Sequence, residues 1–219
     1  MSGIKVGITK PDYSVPDGKY PAVVFQMIQI GSQLFGKNGK EWRSPQILIG
    51  FEMPTLTYEN RDGEEVSNIK SATYFLSLNP SRQGVVGLRE IIDGLRGSDQ
   101  YSEEELNDFD ITSFLGKSCM ITLSGVESKG VVYQNITGVE PLSAAEAAEL
   151  KPMRTPILVT IEDFPKMETL DLPDWIKDKI ALSSEYQELN PGGKAPLNEQ
   201  YKTPEEMDQD EIKLEEVPF

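Results

Sequence analysis

The run Tyr20-Pro-Ala-Val-Val-Phe-Gln-Met-Ile-Gln-Ile30 constrains this chain more than any other stretch. It is dense in β-branched and aromatic residues and ends at Gly31, which makes it a strand. Residues 31–41, with Gly36, Lys37, Asn38, Gly39 and Lys40, read as a turn-rich connection. Residues 42–53 form a second strand, with Ile47, Ile49 and Phe51 on one face and Trp42, Gln46 and Leu48 on the other. Asn60-Arg-Asp-Gly63 is a hairpin signal, and residues 66–78 read as a third strand. Apolar residues at 85, 88, 91, 92 and 95 then fit one face of a helix. Ser102-Glu-Glu-Glu105 has the form of a capping box and opens a second short helix. Residues 117–126 and 131–139 pair around Glu127-Ser128-Lys129-Gly130.

Three strands, a helical insert and two strands is the order of the OB-fold, a five-stranded, partly open β-barrel. The expected class is therefore mainly β, a barrel with its helix between strands 3 and 4. A five-stranded sheet with helices on one face fits the same string. The expected organisation is an N-terminal arm at 1–18, the OB domain at 19–150, an extension at 151–189 and an acidic tail at 190–219. The extension reads as a strand at 156–164 and a helix at 173–186 that includes Trp175. The tail, broken by Pro191, Gly192, Gly193, Pro196 and Pro204, has few apolar side chains to offset ordering entropy and is expected to be disordered.

The chain of 219 residues has no histidine, which removes Ser-His-Asp and Cys-His catalysis and histidine metal sites. The lone Cys119 removes intrachain disulfides and thiolate zinc clusters. Met1 is not followed by a basic-then-apolar leader, and no apolar run approaches the ~18 residues of a membrane span. A cytoplasmic protein that is no enzyme, with no cofactor, metal or membrane partner, is expected. Three motifs are decoys. Gly116-Lys117-Ser118 has Ile111 where a phosphate loop needs its first glycine, and reads as a turn. Glu103-Glu104-Glu105 suits a helix N-terminus without metal. Glu127-Ser-Lys129 has a nuclease-like form but no acidic partner placed nearby.

The net charge of −15 argues against a nucleic-acid partner until its placement is considered. Residues 1–51 carry six Lys/Arg against three acids, whereas 161–219 carry sixteen acids against six lysines. Acids gather at Glu205, Asp210, Glu211, Glu215 and Glu216 before Val217-Pro218-Phe219. A solvating tail has no need of a Pro-Phe ending. A ring beside an α-carboxylate suits a partner's apolar pocket flanked by a basic residue. This ending resembles the tail of bacterial single-stranded DNA-binding proteins, with Val217 for isoleucine and glutamates for aspartates.

The folded part resembles a family of bacteriophage single-stranded DNA-binding or replication-accessory proteins, roughly from Pro16 to Pro141. The resemblance rests on Pro16-Asp-Gly-Lys-Tyr20, Ile30-Gly-Ser-Gln33, Ile49-Gly-Phe-Glu52, Leu115-Gly-Lys117 and Val132-Tyr-Gln-Asn-Ile136. It implies an OB-like core, single-stranded DNA (ssDNA) binding in phage replication or recombination, and a bacterial cytoplasm as location. Residues 151–203 have no counterpart in it.

Single-strand binding needs cations along the backbone and aromatic faces for bases. Phe35, Lys37, Lys40, Trp42 and Arg43 supply both within nine positions, Lys70 and Tyr74 share a strand face, and Tyr133 follows Lys129. The competing reading gives Trp42 and Tyr74 to the core and the lysines to solvent. The expected function is sequence-independent ssDNA binding with replication or repair proteins recruited through the tail; a homo-oligomer is compatible with it. The alternative is an acidic interaction protein, a mimic or inhibitor, that binds no DNA itself. If the tail competes with DNA for the basic groove, removing residues 203–219 tightens oligo-dT binding at low salt. Unchanged or weaker affinity in that titration counts against the competition.

Overall fold

The computed structural model describes residues 15–37, 39–60, 62–79, 86–97, 102–106, 109–128 and 131–191. Within them the strands are β1 (Gly18–Lys37), β2 (Lys40–Glu59), β3 (Glu65–Phe75), β4 (Ser118–Ser128), β5 (Val131–Pro141) and β6 (Ile157–Val159). The helices are α1 (Leu88–Arg96), α2 (Glu103–Leu106), α3 (Ala144–Glu149), α4 (Asp174–Ala181) and α5 (Ser184–Leu189). Antiparallel neighbours run in the order β3-β2-β1-β4-β5. Among the described residues no ladder joins β3 to β5, so the protein is mainly β with an open sheet. The tail residues Asp210, Glu211, Glu215, Glu216, Val217, Pro218 and Phe219 and most of the N-terminal arm lie outside the described residues.

The first hairpin is longer than its sequence suggests. Residues 31–41 are not a connection: β1 runs on to Lys37, β2 starts at Lys40, and those two residues pair in the ladder. Gly39 at φ +74° supplies the left-handed turn that a two-residue hairpin needs. Gly31, read from sequence as a strand end, is instead a bulge at φ +78° where the β1–β2 register slips. A side chain there would also place its Cβ 2.5 Å from the Cβ of Ser183. Bulging lets a strand bend without ending, and the composition of residues 31–41 hides that.

Strand alternation builds the main core as expected. Ile47, Ile49 and Phe51 pack with Met27, Tyr74, Ile121 and Leu123 under α1, whose Leu88, Ile91, Ile92 and Leu95 form the buried stripe. Gly94 lets α1 approach so closely that any Cβ would collide with the Val139 carbonyl oxygen of β5. Gly116, at φ +83°, turns the chain into β4 and donates its N–H to the Val24 carbonyl, consistent with a turn and not a phosphate loop.

The extension joins the sheet. β6 pairs parallel with β1 through Gln26↔Ile157 and Ile28↔Val159, and is shorter than the strand expected at 156–164 because a 3-10 helix begins at Ile161. The single helix expected at 173–186 is two, broken where the Ser183 hydroxyl accepts the Tyr186 N–H and caps α5. Ile28, Ile30 and Leu48, on the sheet face away from α1, bury with Val159, Phe164, Met167, Leu172, Ile176 and Ile180 into a second core.

Two carboxylates fasten this layer. Glu52, fully buried, accepts the Ser67 hydroxyl at 2.7 Å, the Met153 N–H at 2.8 Å and the Arg154 N–H at 3.3 Å. Glu185 accepts the Ser32 N–H and hydroxyl, each at 2.7 Å. Desolvation pulls the Glu185 pKa up, but hydrogen bonds from Ser32, its own backbone N–H and the Ser184 hydroxyl together outweigh it and hold the group below its ordinary value. Glu52→Ala would remove the acceptor of three donors, at about 1–3 kcal/mol for each left buried and unpaired. The expected outcome is a lower urea midpoint together with faster tryptic cleavage after Arg154; wild-type values for both refute the fastening role.

Candidate nucleic-acid interface

The β1–β2 hairpin projects beyond the rest of the sheet as a two-stranded arm. β4 covers β1 only through Val23 and β6 only through Ile28, while β3 leaves β2 after the Gln46↔Phe75 pair. Beyond those limits the register runs Gln33↔Ser44, Leu34↔Arg43, Phe35↔Trp42, Gly36↔Glu41 and Lys37↔Lys40. Alternation puts Phe35 and Trp42 on the face away from α1 and Arg43 on the opposite face.

Phe35 and Trp42 stack with ring centroids 6.0 Å apart and planes 22° from parallel. Phe75 joins them at 5.2 Å from Phe35, tilted by 58°. Trp42 is 44% exposed and Phe75 45%, so the group presents ring surface to solvent. Aromatic pairing of this kind contributes about 0.5–1.5 kcal/mol and holds the rings in fixed orientations. Lys40 is exposed beside the tip, and the Arg43 guanidinium donates to the Ser32 carbonyl at 3.1 Å, which ties it across the arm. Lys37 pairs with Lys40 in the ladder.

The remaining candidates separate from this group. Tyr74 pairs with Ile47 and is 6% exposed in the main core, so its ring offers no stacking surface. Its hydroxyl is buried without a partner among the described residues, and burial raises its pKa. Lys70 lies opposite Phe51 on the core-facing side, where desolvation lowers its pKa. Period-two alternation had placed these two on one face correctly; that face is the inner one. Tyr133 is 55% exposed and pairs with Val126, beyond the Gly18↔Leu123 pair at the start of β1. It therefore sits at the other end of the strand direction from Trp42. Lys129 lies outside the described residues.

Sequence reasoning missed Phe75. The signal was present in the dipeptide Tyr74-Phe75: two adjacent aromatics in a strand face opposite ways, so one of them had to lie outside. Cys119 is no nucleophile here, since burial pushes its thiol up to about 12 and it packs as a small apolar side chain. Among the described residues no group of carboxylates and thiols could hold a metal ion, and no helix is long and apolar enough to cross a membrane.

Tyr74→Phe removes an unpaired buried hydroxyl, whose desolvation costs about 1–3 kcal/mol. An unchanged or raised melting temperature is expected, with ligand binding at the arm unaffected; a lower melting temperature would reveal a partner for that hydroxyl. No protein-family model matches this chain, and no curated protein matches it.

Proposed function

We propose that this protein binds single-stranded DNA without sequence preference, with the Phe35–Trp42–Phe75 platform stacking bases. Lys37 and Lys40 flank the hairpin tip and neutralise the phosphates that accompany them, while Arg43, on the opposite face, adds positive charge to the arm. The observation that carries the reading is the platform itself. Three aromatic rings held in contact on an outer sheet face, two of them nearly half exposed, cost solubility and add little to either core. Beside cations, such rings suit ligands that present π-faces and negative charge in alternation, which describes a single strand and not a paired duplex.

The fold in this reading is of OB type. The order β3-β2-β1-β4-β5 with α1 between β3 and β4 is that of an OB barrel parted between β3 and β5. OB-folds use the face of strands 2 and 3 and the loop joining strands 1 and 2. Trp42 lies on β2, Phe75 on β3, and the lysines flank the loop between β1 and β2. A role in phage replication or recombination, with partners reading the acidic Pro-Phe segment, follows from the resemblances noted in the sequence.

The acidic surplus favours one other reading, an interaction protein that occupies a DNA-binding partner. Titration with oligo-dT and with a duplex of equal length separates the two. The expected result is tryptophan quenching by oligo-dT, little response to duplex, and affinity that falls with salt as counterions are released. Trp42→Ala is expected to weaken binding by roughly 5- to 150-fold, since stacking contributes about 1–3 kcal/mol per base. No response of the wild-type protein to oligo-dT at low salt would leave the interaction protein standing.

A further inference from the structure

The extension brings a second aromatic and cationic pair to the border of the arm. Gln33, one exterior step from Phe35, donates its side-chain amide at 3.0 Å to the carbonyl of Lys179 in α4. One turn back along α4, Trp175 is 46% exposed, and the Lys179 ammonium lies 5.7 Å from its ring centroid. Ile176 and Ile180 of the same helix are buried against Ile28, Ile30 and Leu48, which fixes how α4 sits on the sheet. Trp175 and Lys179 are therefore held by packing beside the strands that carry Phe35 and Trp42.

The surroundings of Lys179 are unusual for an outer helix. Among the described residues no carboxylate forms an ion pair with it, although Asp174 and Asp178 share its helix. Burial lowers its pKa, and the Trp175 ring face neighbours its ammonium. An ammonium that is desolvated and lacks an anion has surplus attraction for one. α4 is charge-balanced, two acids against two lysines, so that attraction acts at short range.

We propose that α4 continues the single-strand path beyond the arm, with Trp175 stacking a further base and Lys179 contacting the phosphate beside it. The inference rests on the single-strand reading and extends it to a segment with no counterpart in the family resemblance. Geometry supports one continuous path. Gln33 and Phe35 are two strand residues apart, about 7 Å, and Trp175 lies one helical turn, about 6 Å, from Lys179. That span, about 13 Å, is covered by roughly four nucleotides at about 3.4 Å each, the lower end of the range bound by one OB-type site. The extension then has two roles: its inner side covers an apolar sheet face and its border lengthens the binding surface.

The test uses the full chain, oligo-dT of about 2 and about 16 nucleotides, and a salt series read by anisotropy of labelled oligonucleotide. With the long oligonucleotide, Lys179→Gln is expected to weaken binding 3- to 10-fold and to lower the log–log salt slope by ~0.7, the loss of one single-strand phosphate contact. With the short one, held at the arm, it should change affinity less than twofold. In a Trp42→Phe background, fluorescence from Trp175 should be quenched by the long oligonucleotide alone. Wild-type affinity, slope and length dependence in Lys179→Gln, with Trp42→Ala still weakening binding, would overturn the role of α4 and leave the arm reading in place. Failure of the wild-type protein to bind either oligonucleotide would overturn both. A melting temperature within a degree or two of wild type for Lys179→Gln assigns any loss to contact and not to unfolding.

Discussion

Ile28, Ile30 and Leu48 give the sheet a second apolar face on the side away from α1, and much of the remaining architecture follows from covering it. Five strands and α1 bury only the inner face. The outer apolar surface needs a layer, and residues 151–191 supply it through β6, a 3-10 helix, α4 and α5. Apolar burial drives this docking, at about 25 cal/mol per Å² removed from water, but it is not directional. Direction comes from Glu52 and Glu185, whose hydrogen bonds with residues on both sides fix where the layer lies. Gly31 contributes by having no side chain where Ser183 meets β1.

The cover stops short of the arm, and that boundary is chemical. Leu48 belongs to the second core, whereas Gln46 and Ser44, the next residues on the same face of β2, are polar. Trp42 then returns ring surface to that face with no layer above it among the described residues. A strand that reads apolar, polar, polar, aromatic along one face has two destinations, and here the first is a core and the second an exposed platform.

Alternation made much of this legible in the sequence. Ile47, Ile49 and Phe51 go to the inner core, Leu48 to the other side, and the stripe at 88, 91, 92 and 95 buries as a helix face. Long-range pairing was not legible, because period two states that a residue has a side but not what waits there. Lys70 and Tyr74 share a face, as their spacing predicts, yet that face turns inward and away from any ligand at the arm. Gly31 reads as a terminator because a glycine that ends a strand and one that bulges it look alike without the partner strand. The cap at Ser143, whose hydroxyl accepts the Glu146 N–H to start α3, was an overlooked local signal of the same S-x-x-E form read correctly at Ser102. The place of 151–191 on the sheet depended on contacts such as Glu52 with Met153, separated by 101 residues, which no local pattern encodes.

The distribution of charge sets the terms on which such a surface can meet a polyanion. With a net charge of −15 the protein repels DNA at long range, yet a strand at the arm would feel Lys37, Lys40 and Arg43 against the single acid Glu41. At physiological ionic strength the Debye length is about 8 Å, so charges beyond the immediate neighbourhood are largely screened and the local cations dominate. Lowering the salt strengthens the local attraction by counterion release, but it also restores the distant repulsion. The two effects have opposite signs in a salt titration, so the apparent slope underestimates the phosphate contacts made. Removing acidic residues far from the arm would steepen that slope without adding a contact. For a protein of this charge, a shallow slope is therefore compatible with several phosphates held, and differences in slope between variants with equal distant charge carry more information than the slope itself.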